Sequence, residues 1–249
     1  MDSHPYSPRH LASGKSAETD DLIIQRRYRL VSELASFDGN VLLDFGCGNG
    51  AQTFLFAPHF SLIAGADVGE ESLNILAEES KRKELGDRVF GIRYDGFKLP
   101  FATDSIDCAV SFEVLEHVES EDDALSELSR VIRPGGTLAM SVPNRWWIFE
   151  THGAALPLLP WNRVPFFGWL PKRFHDRYAH ARIYERREVV AKVEHHGFTV
   201  SDSVYITAPM DVVKWAPLQT VLRKTIFRGD VTRIPFLSTA VLVTATRSC

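Results

Sequence analysis

Two periods of apolar residues alternate along the chain. Short apolar runs at Val41–Phe45, Ser61–Asp67, Asp87–Asp95, Asp104–Phe112 and Thr137–Asn144 predict buried strands. The segments between them carry helical spacing. Leu22, Ile23, Leu30, Val31 and Leu34 mark a helix over Asp21–Phe37, and a second runs from Gly50 to His59. A third, from Glu70, starts with acids, ends with bases and stops at Gly86, an order that suits the helix dipole. A fourth begins at Glu121 and is closed by Pro134, Gly135 and Gly136. Later come a helix from about Glu185 with a Gly197 C-cap, a sixth strand over Phe198–Ile206 and a last one over Ser238–Arg247.

Repeated strand–helix alternation implies right-handed crossovers and a doubly wound, mostly parallel α/β sheet. Ligands of such sheets bind beyond the carboxyl ends of the strands. The stretch VLLDFGCGNG (Val41–Gly50) places three glycines in one strand-to-helix turn, which lets a ligand come close to the backbone. Its G-x-G-x-x-A spacing also fits a dinucleotide, so a nicotinamide-dependent oxidoreductase is one reading. The acids discriminate. Asp44, two residues before the first glycine, would repel a pyrophosphate and attract an ammonium or sulfonium group. Asp67, ending the second strand, suits a ribose diol, and Asp95, ending the third, suits an adenine amine. An adenosine that carries an amino acid meets all three.

The segments LLDFGCGNG (Leu42–Gly50), GADVGEESL (Gly65–Leu73), Tyr94–Val118 with its LEH, and RVIRPGGTLAMSVPN (Arg130–Asn144) resemble the class I S-adenosylmethionine-dependent methyltransferases, of the small-molecule and quinone-biosynthesis type. The resemblance implies a Rossmann-like methyltransferase fold with seven strands, the last reversed, and an aromatic-rich insertion after the fifth. It implies S-adenosyl-L-methionine as cofactor. Asp44, Gly46, Cys47, Gly48 and Gly50 would line the methionine and ribose. Asp67 would take the diol, Val68 the adenine face, Asp95 and Gly96 the adenine amine, and Phe112 and Glu113 the pocket floor. Val68 and Phe112 read equally well as core residues. A cofactor-binding module without catalysis is the remaining alternative.

Methyl transfer from a sulfonium is an in-line displacement with a good leaving group, so positioning dominates and a base is needed only for a hydroxyl or an acidic carbon. His152, just beyond the fifth strand, His175 and His117 are the candidate bases. No metal site is expected. Cys47, Cys108 and Cys249 are too few for a disulfide framework and suit a reducing, cytoplasmic setting.

Composition narrows the partners. The net charge of −4 is not that of a dedicated nucleic-acid binder. Residues 1–20 read as a flexible tail before a methyltransferase domain at 21–249. Two irregular insertions, about 145–184 and 207–237, are expected to form the acceptor lid. The first holds Trp146, Trp147, Phe149, Trp161, Phe166, Phe167 and Trp169 among prolines, with Arg163, Lys172, Arg173 and Arg177 nearby. Such a segment walls a pocket for a hydrophobic or lipid-like acceptor, or rests on a membrane surface.

Overall fold

A computed structural model describes residues 18–249 apart from 150, 151, 153, 157, 158 and 162–164. Most of the expected tail, and Arg163, lie outside the described residues.

The sheet has eight strands: β1 (Gly39–Phe45), β2 (Phe60–Asp67), β3 (Val89–Arg93), β4 (Ile106–Phe112), β5 (Ile132–Pro143), β8 (Phe198–Thr207), β9 (Val231–Thr232) and β10 (Ser238–Arg247), ordered β3-β2-β1-β4-β5-β10-β8-β9. A separate hairpin joins β6 (Ala154–Leu156) to β7 (Leu159–Trp161). β3, β2, β1, β4 and β5 pair in parallel; β10 runs antiparallel to both β5 and β8. The reversed last strand is therefore as expected, but it is inserted between β5 and β8. The expected seven strands become eight because β9 adds to β8 at the edge.

Alternation along each strand divides the core between the two faces. Leu42, Ile63, Cys108 and Val110 pack with α1 (Leu22–Leu34) and α3 (Glu70–Arg82) on one side. Leu43, Ala109 and Leu138 pack with α4 (Glu121–Val131) and α6 (Arg186–His195) on the other. The Ser120 hydroxyl caps α4 by accepting from the Asp123 N–H at 3.2 Å, behind an acidic first turn.

Several boundaries differ from the sequence reading. The helix after the glycine loop is only α2 (Thr53–Phe56) followed by a 3₁₀ turn at Ala57–His59. α3 ends at Arg82, and Glu84, with φ 57°, precedes Gly86 in breaking it. α4 ends at Val131, and Pro134–Gly136 lie inside β5, where its register with β4 shifts. That irregularity accommodates a proline that cannot donate to the ladder. The two irregular regions hold regular elements. The first contains the β6–β7 hairpin, a 3₁₀ turn (Phe167–Trp169) and α5 (Lys172–Tyr178). The second contains α7 (Ala216–Lys224), β9 and a 3₁₀ turn (Pro235–Leu237).

Candidate active site

The parallel strands end on one edge, and the loops that leave them meet there. The β1 loop is fastened to β2: the Gly46 N–H donates to the Ala66 carbonyl at 2.8 Å, and the Gly50 N–H closes the turn onto the Cys47 carbonyl at 3.0 Å. Its glycines do different things. Gly46 has φ 76°, and a Cβ there would collide with the Val114 side chain, so the β4 loop packs directly onto it. Gly48 has φ 52°, and a Cβ there would meet nothing within 4 Å. Of these two, only Gly48 leaves room for something that is not protein.

Asp67 spans this loop. One carboxylate oxygen accepts from the Gly48 N–H at 2.8 Å and the other from the Gly69 N–H at 2.8 Å. Val68 is half-buried, with Cγ1 3.7 Å from where a Gly96 Cβ would stand. Asp95 lies two residues past β3, is exposed, and caps the next turn by accepting from the Phe97 and Lys98 N–H groups at 2.9 and 3.0 Å. Those bonds hold its carboxyl below the usual carboxylate range.

Asp44 is placed differently from its neighbours. It is 2% exposed and accepts from the Thr53 hydroxyl at 2.5 Å. Burial, against the Thr53 bond and with help from Asp67, pushes its pKa up to about 7. The Cys47 thiol is buried beneath the loop and also pushed up, chiefly by burial. A Cβ at Gly65 would come 2.7 Å from its sulfur, so the second strand is shaped around it.

The β4 loop packs beside the β1 loop. Phe112 stacks on Phe56 with ring centroids 6.4 Å apart and an interplanar angle of 16°. Glu113 follows in the left-handed region, φ 57°, a conformation costly for a residue with a Cβ. It is held there by its carboxylate, which accepts from the Ser141 hydroxyl at 3.0 Å and pairs with Arg27 of α1 at 2.9 Å. Arg27 also lies over the Phe112 ring at 5.9 Å. Sequence reasoning missed Arg27, and no local signal marks it.

Three residues later Glu116 is 0% exposed, and neither carboxylate oxygen has a hydrogen-bond partner. Burial first, then the Glu113 charge, raise its pKa well above the usual range. His152 Nε2 lies 3.5 Å and His117 Nε2 4.0 Å from Glu116 Oε1, and the two rings meet edge to face at 4.9 Å. Two of the expected bases thus converge on one acid. His175 is not part of this cluster; it is fully buried in α5, with its ring 5.2 Å from Phe167 and Nδ1 3.3 Å from Asp176.

Beyond β5 the two excursions share a base. Asn144 Nδ2 donates to the Pro235 and Ser238 carbonyls at 2.7 and 2.9 Å, while the Arg145 N–H donates to the Tyr184 carbonyl at 3.0 Å. Trp147, Ala208, Met210 and Phe227 form a small core between them. Outside it, Trp146, Phe236, Trp169 and Phe166 follow ring to ring at 5.9, 5.3 and 4.9 Å. No side chain of α7 is fully buried, and Leu222 packs partly buried against that small core. Among the described residues no helix is long and apolar enough to cross a membrane.

Comparison with known proteins agrees with this architecture. Residues 43–140 match the methyltransferase domain family. The ubiquinone/menaquinone biosynthesis C-methyltransferase UbiE of Paracoccus denitrificans is 34% identical over 158 residues, 58% of each chain. The chain spans about half the length of the curated relatives it matches, 44%, 58% and 47% for three of them. The structure of a geranyl diphosphate methyltransferase in complex with S-adenosylmethionine is similar with a TM-score of 0.61 at 16% identity, covering 90% of this chain and 85% of that one. The [4+2]-cyclase SpnF is similar with a TM-score of 0.60 at 21% identity, covering 90% and 81%. The cyclase shows that this fold alone does not fix a reaction. Over residues 43–140 the chain is similar to the methyltransferase domain family, and its fold is that of the S-adenosylmethionine-dependent methyltransferases.

Proposed function

We propose that the protein transfers a methyl group from S-adenosylmethionine to an oxygen or carbon of a hydrophobic small molecule. The observation that carries this reading is the open side of Gly48, whose N–H is held by Asp67. The residues present fit the cofactor. A tight turn leaves backbone uncovered where a ligand can approach it. Asp67 stands at the end of β2, where hydroxyl groups can add to the bonds it already accepts. Val68, just past β2, stands next to Gly96, where the face of a base can lie, and the exposed Asp95 precedes Gly96.

When bound, the cofactor supplies an activated methyl group on a cationic sulfur. The chain supplies position and charge. Asp44, Asp67 and Asp95 set acidic groups around the cradle, and Asp44 ionises readily once a cation lies near, since its buried acid form stands at about pH 7. Phe112, clamped by Phe56 and Arg27, closes the floor and keeps water out. His152 and His117, grouped on Glu116, are placed to take a proton from an acceptor hydroxyl or acidic carbon. His175 is buried in α5 against Phe167 and is not one of this group.

The acceptor side favours an apolar molecule drawn from an anionic lipid surface. Trp215, Val221 and Ile226 are 67%, 56% and 58% exposed, and Lys214, Lys224, Arg228 and Arg233 are exposed beside them. Aromatic and basic residues mixed in this way suit a membrane interface.

Calorimetry with S-adenosylmethionine and with NAD tests the cofactor; binding of the first alone is expected. Release of S-adenosylhomocysteine with a panel of prenylated phenols and fatty acyl acceptors tests the reaction. Binding without release on any of them points to a cofactor-binding module.

A further inference from the structure

The group formed by Glu116, His117 and His152 asks for more than proton transfer. A carboxylate with no solvent exposure and no hydrogen-bond partner on either oxygen is costly unless a positive charge offsets it. The nearest acid, Glu113, already has its cation in Arg27 at 2.9 Å and its donor in Ser141. Glu116 feels the Arg27 and Arg182 charges, but neither of its oxygens accepts a hydrogen bond. What lies against them is a pair of imidazole nitrogens, at 3.5 and 4.0 Å.

We propose that Glu116, His117 and His152 bind a divalent transition-metal ion of the zinc class. The three candidate ligand atoms all lie within 4.8 Å of one another. A tetrahedral ion with bonds of about 2.0–2.1 Å holds its ligand atoms roughly 3.3 Å apart. Small side-chain rotations close the remaining gap. Two imidazoles, which are borderline donors, joined by one carboxylate suit zinc, cobalt or iron and are a poor match for magnesium or calcium. The backbone is already fixed for the purpose: the Arg182 N–H donates to the Glu116 carbonyl at 3.3 Å, and the His117 N–H to the Val114 carbonyl at 2.9 Å.

Three protein ligands leave one position open, as in catalytic rather than structural sites. Glu116 is enclosed while both imidazoles are part-exposed, at 18% and 20%, so the open position faces outward. It lies beyond β4 and β5, on the edge where the methyl acceptor is proposed to sit. This last step rests on the methyltransferase reading. On it, the two imidazoles hold the ion in place of taking the proton, and the ion would select acceptors with an oxygen donor, a phenol or an enolised ketone, and lower the pKa of that oxygen.

The test uses the full chain, stripped with a chelator and titrated with CoCl₂, without cofactor or acceptor. One equivalent should bind, with the intense visible absorption of a four-coordinate ion, and ZnCl₂ should displace it. Glu116→Gln and His152→Ala should each weaken binding at least tenfold, whereas a His195→Ala/His196→Ala control, at another histidine pair, should not. ZnCl₂ should also raise the melting temperature of the wild type and leave that of Glu116→Gln unmoved. Cobalt binding no tighter in the wild type than in His117→Ala/His152→Ala, or no melting shift with zinc, overturns the site. Calorimetry with S-adenosylmethionine on the same samples separates the two ideas. Metal binding without cofactor binding faults the methyltransferase reading and leaves the site standing; cofactor binding without metal binding removes the site alone.

Discussion

The β1–β4 edge and the two excursions beyond β5 are built on opposite terms. At the first, every loop is fastened to a neighbouring strand end, and Val114 packs so closely on the β1 loop that Gly46 admits no side chain. At the second, the Asn144 amide, Arg26 and the Arg29–Asp230 pair hold the base, a few residues form a small core, and aromatic rings face outward. A cofactor shared by a whole family needs a fixed cradle, whereas an acceptor that differs between members needs a wall that can vary. The contrast predicts that substitutions on the two sides fail in different ways.

The largest effect should come from Gly46→Val, which meets Val114 and forces a branched residue into positive φ. We expect a loss of more than about 3 kcal/mol in urea denaturation, or no folded protein. Gly48→Ala should cost only about 1–2 kcal/mol, because its side is open, yet abolish cofactor binding by calorimetry. Equal stability losses for the two would erase the distinction between a packed glycine and an open one.

Next is a pH dependence. The Asp44 carboxyl stays protonated in the native state up to about pH 7, while the unfolded chain releases that proton near 3.8. Its penalty is absent below the lower value, grows as pH rises between the two, and is complete above the higher. Asp44→Asn lacks it. The variant should therefore gain on the cofactor-free wild type by about 2–4 kcal/mol between pH 4 and pH 8. A constant difference in urea midpoints across that range would mean that Asp44 ionises normally.

Asp67→Ala should weaken S-adenosylmethionine at least tenfold, since each lost hydrogen bond to a charged acceptor is worth about 1.5–3 kcal/mol. Unchanged affinity would place the ribose elsewhere. The smallest effect on the fold belongs to the outer face. Trp215→Ser with Ile226→Ser should change stability by under about 0.5 kcal/mol. The same pair should abolish co-sedimentation with phosphatidylglycerol vesicles and spare cofactor affinity. Full vesicle binding by that variant would assign the outer rings to another role.

What the chain discloses as a string follows the same division. The glycine loop, Asp67 and Asp95 are legible because each is the local ending of an apolar run. α7 lies inside the stretch 207–237 that read as irregular, and Pro217 sits in its first turn, where proline is at home. The start of β5 is missed because Pro134–Gly136 read as a stop rather than as an irregular strand. β9, with two residues, has no period to detect. Glu116 and His152 come from segments far apart in the chain, and only the return of β5 beside β4 brings them together. Arg27 reaches Glu113 from the first helix, a meeting that no spacing announces.

The pair of hydrogen bonds donated by Asn144 has its own consequence. Its one amide group fastens the end of the second excursion to the point where the first departs from the sheet. The two leaves therefore hang from a common pin. Any entrance wide enough for a bulky guest must swing both at once or prise that pin loose.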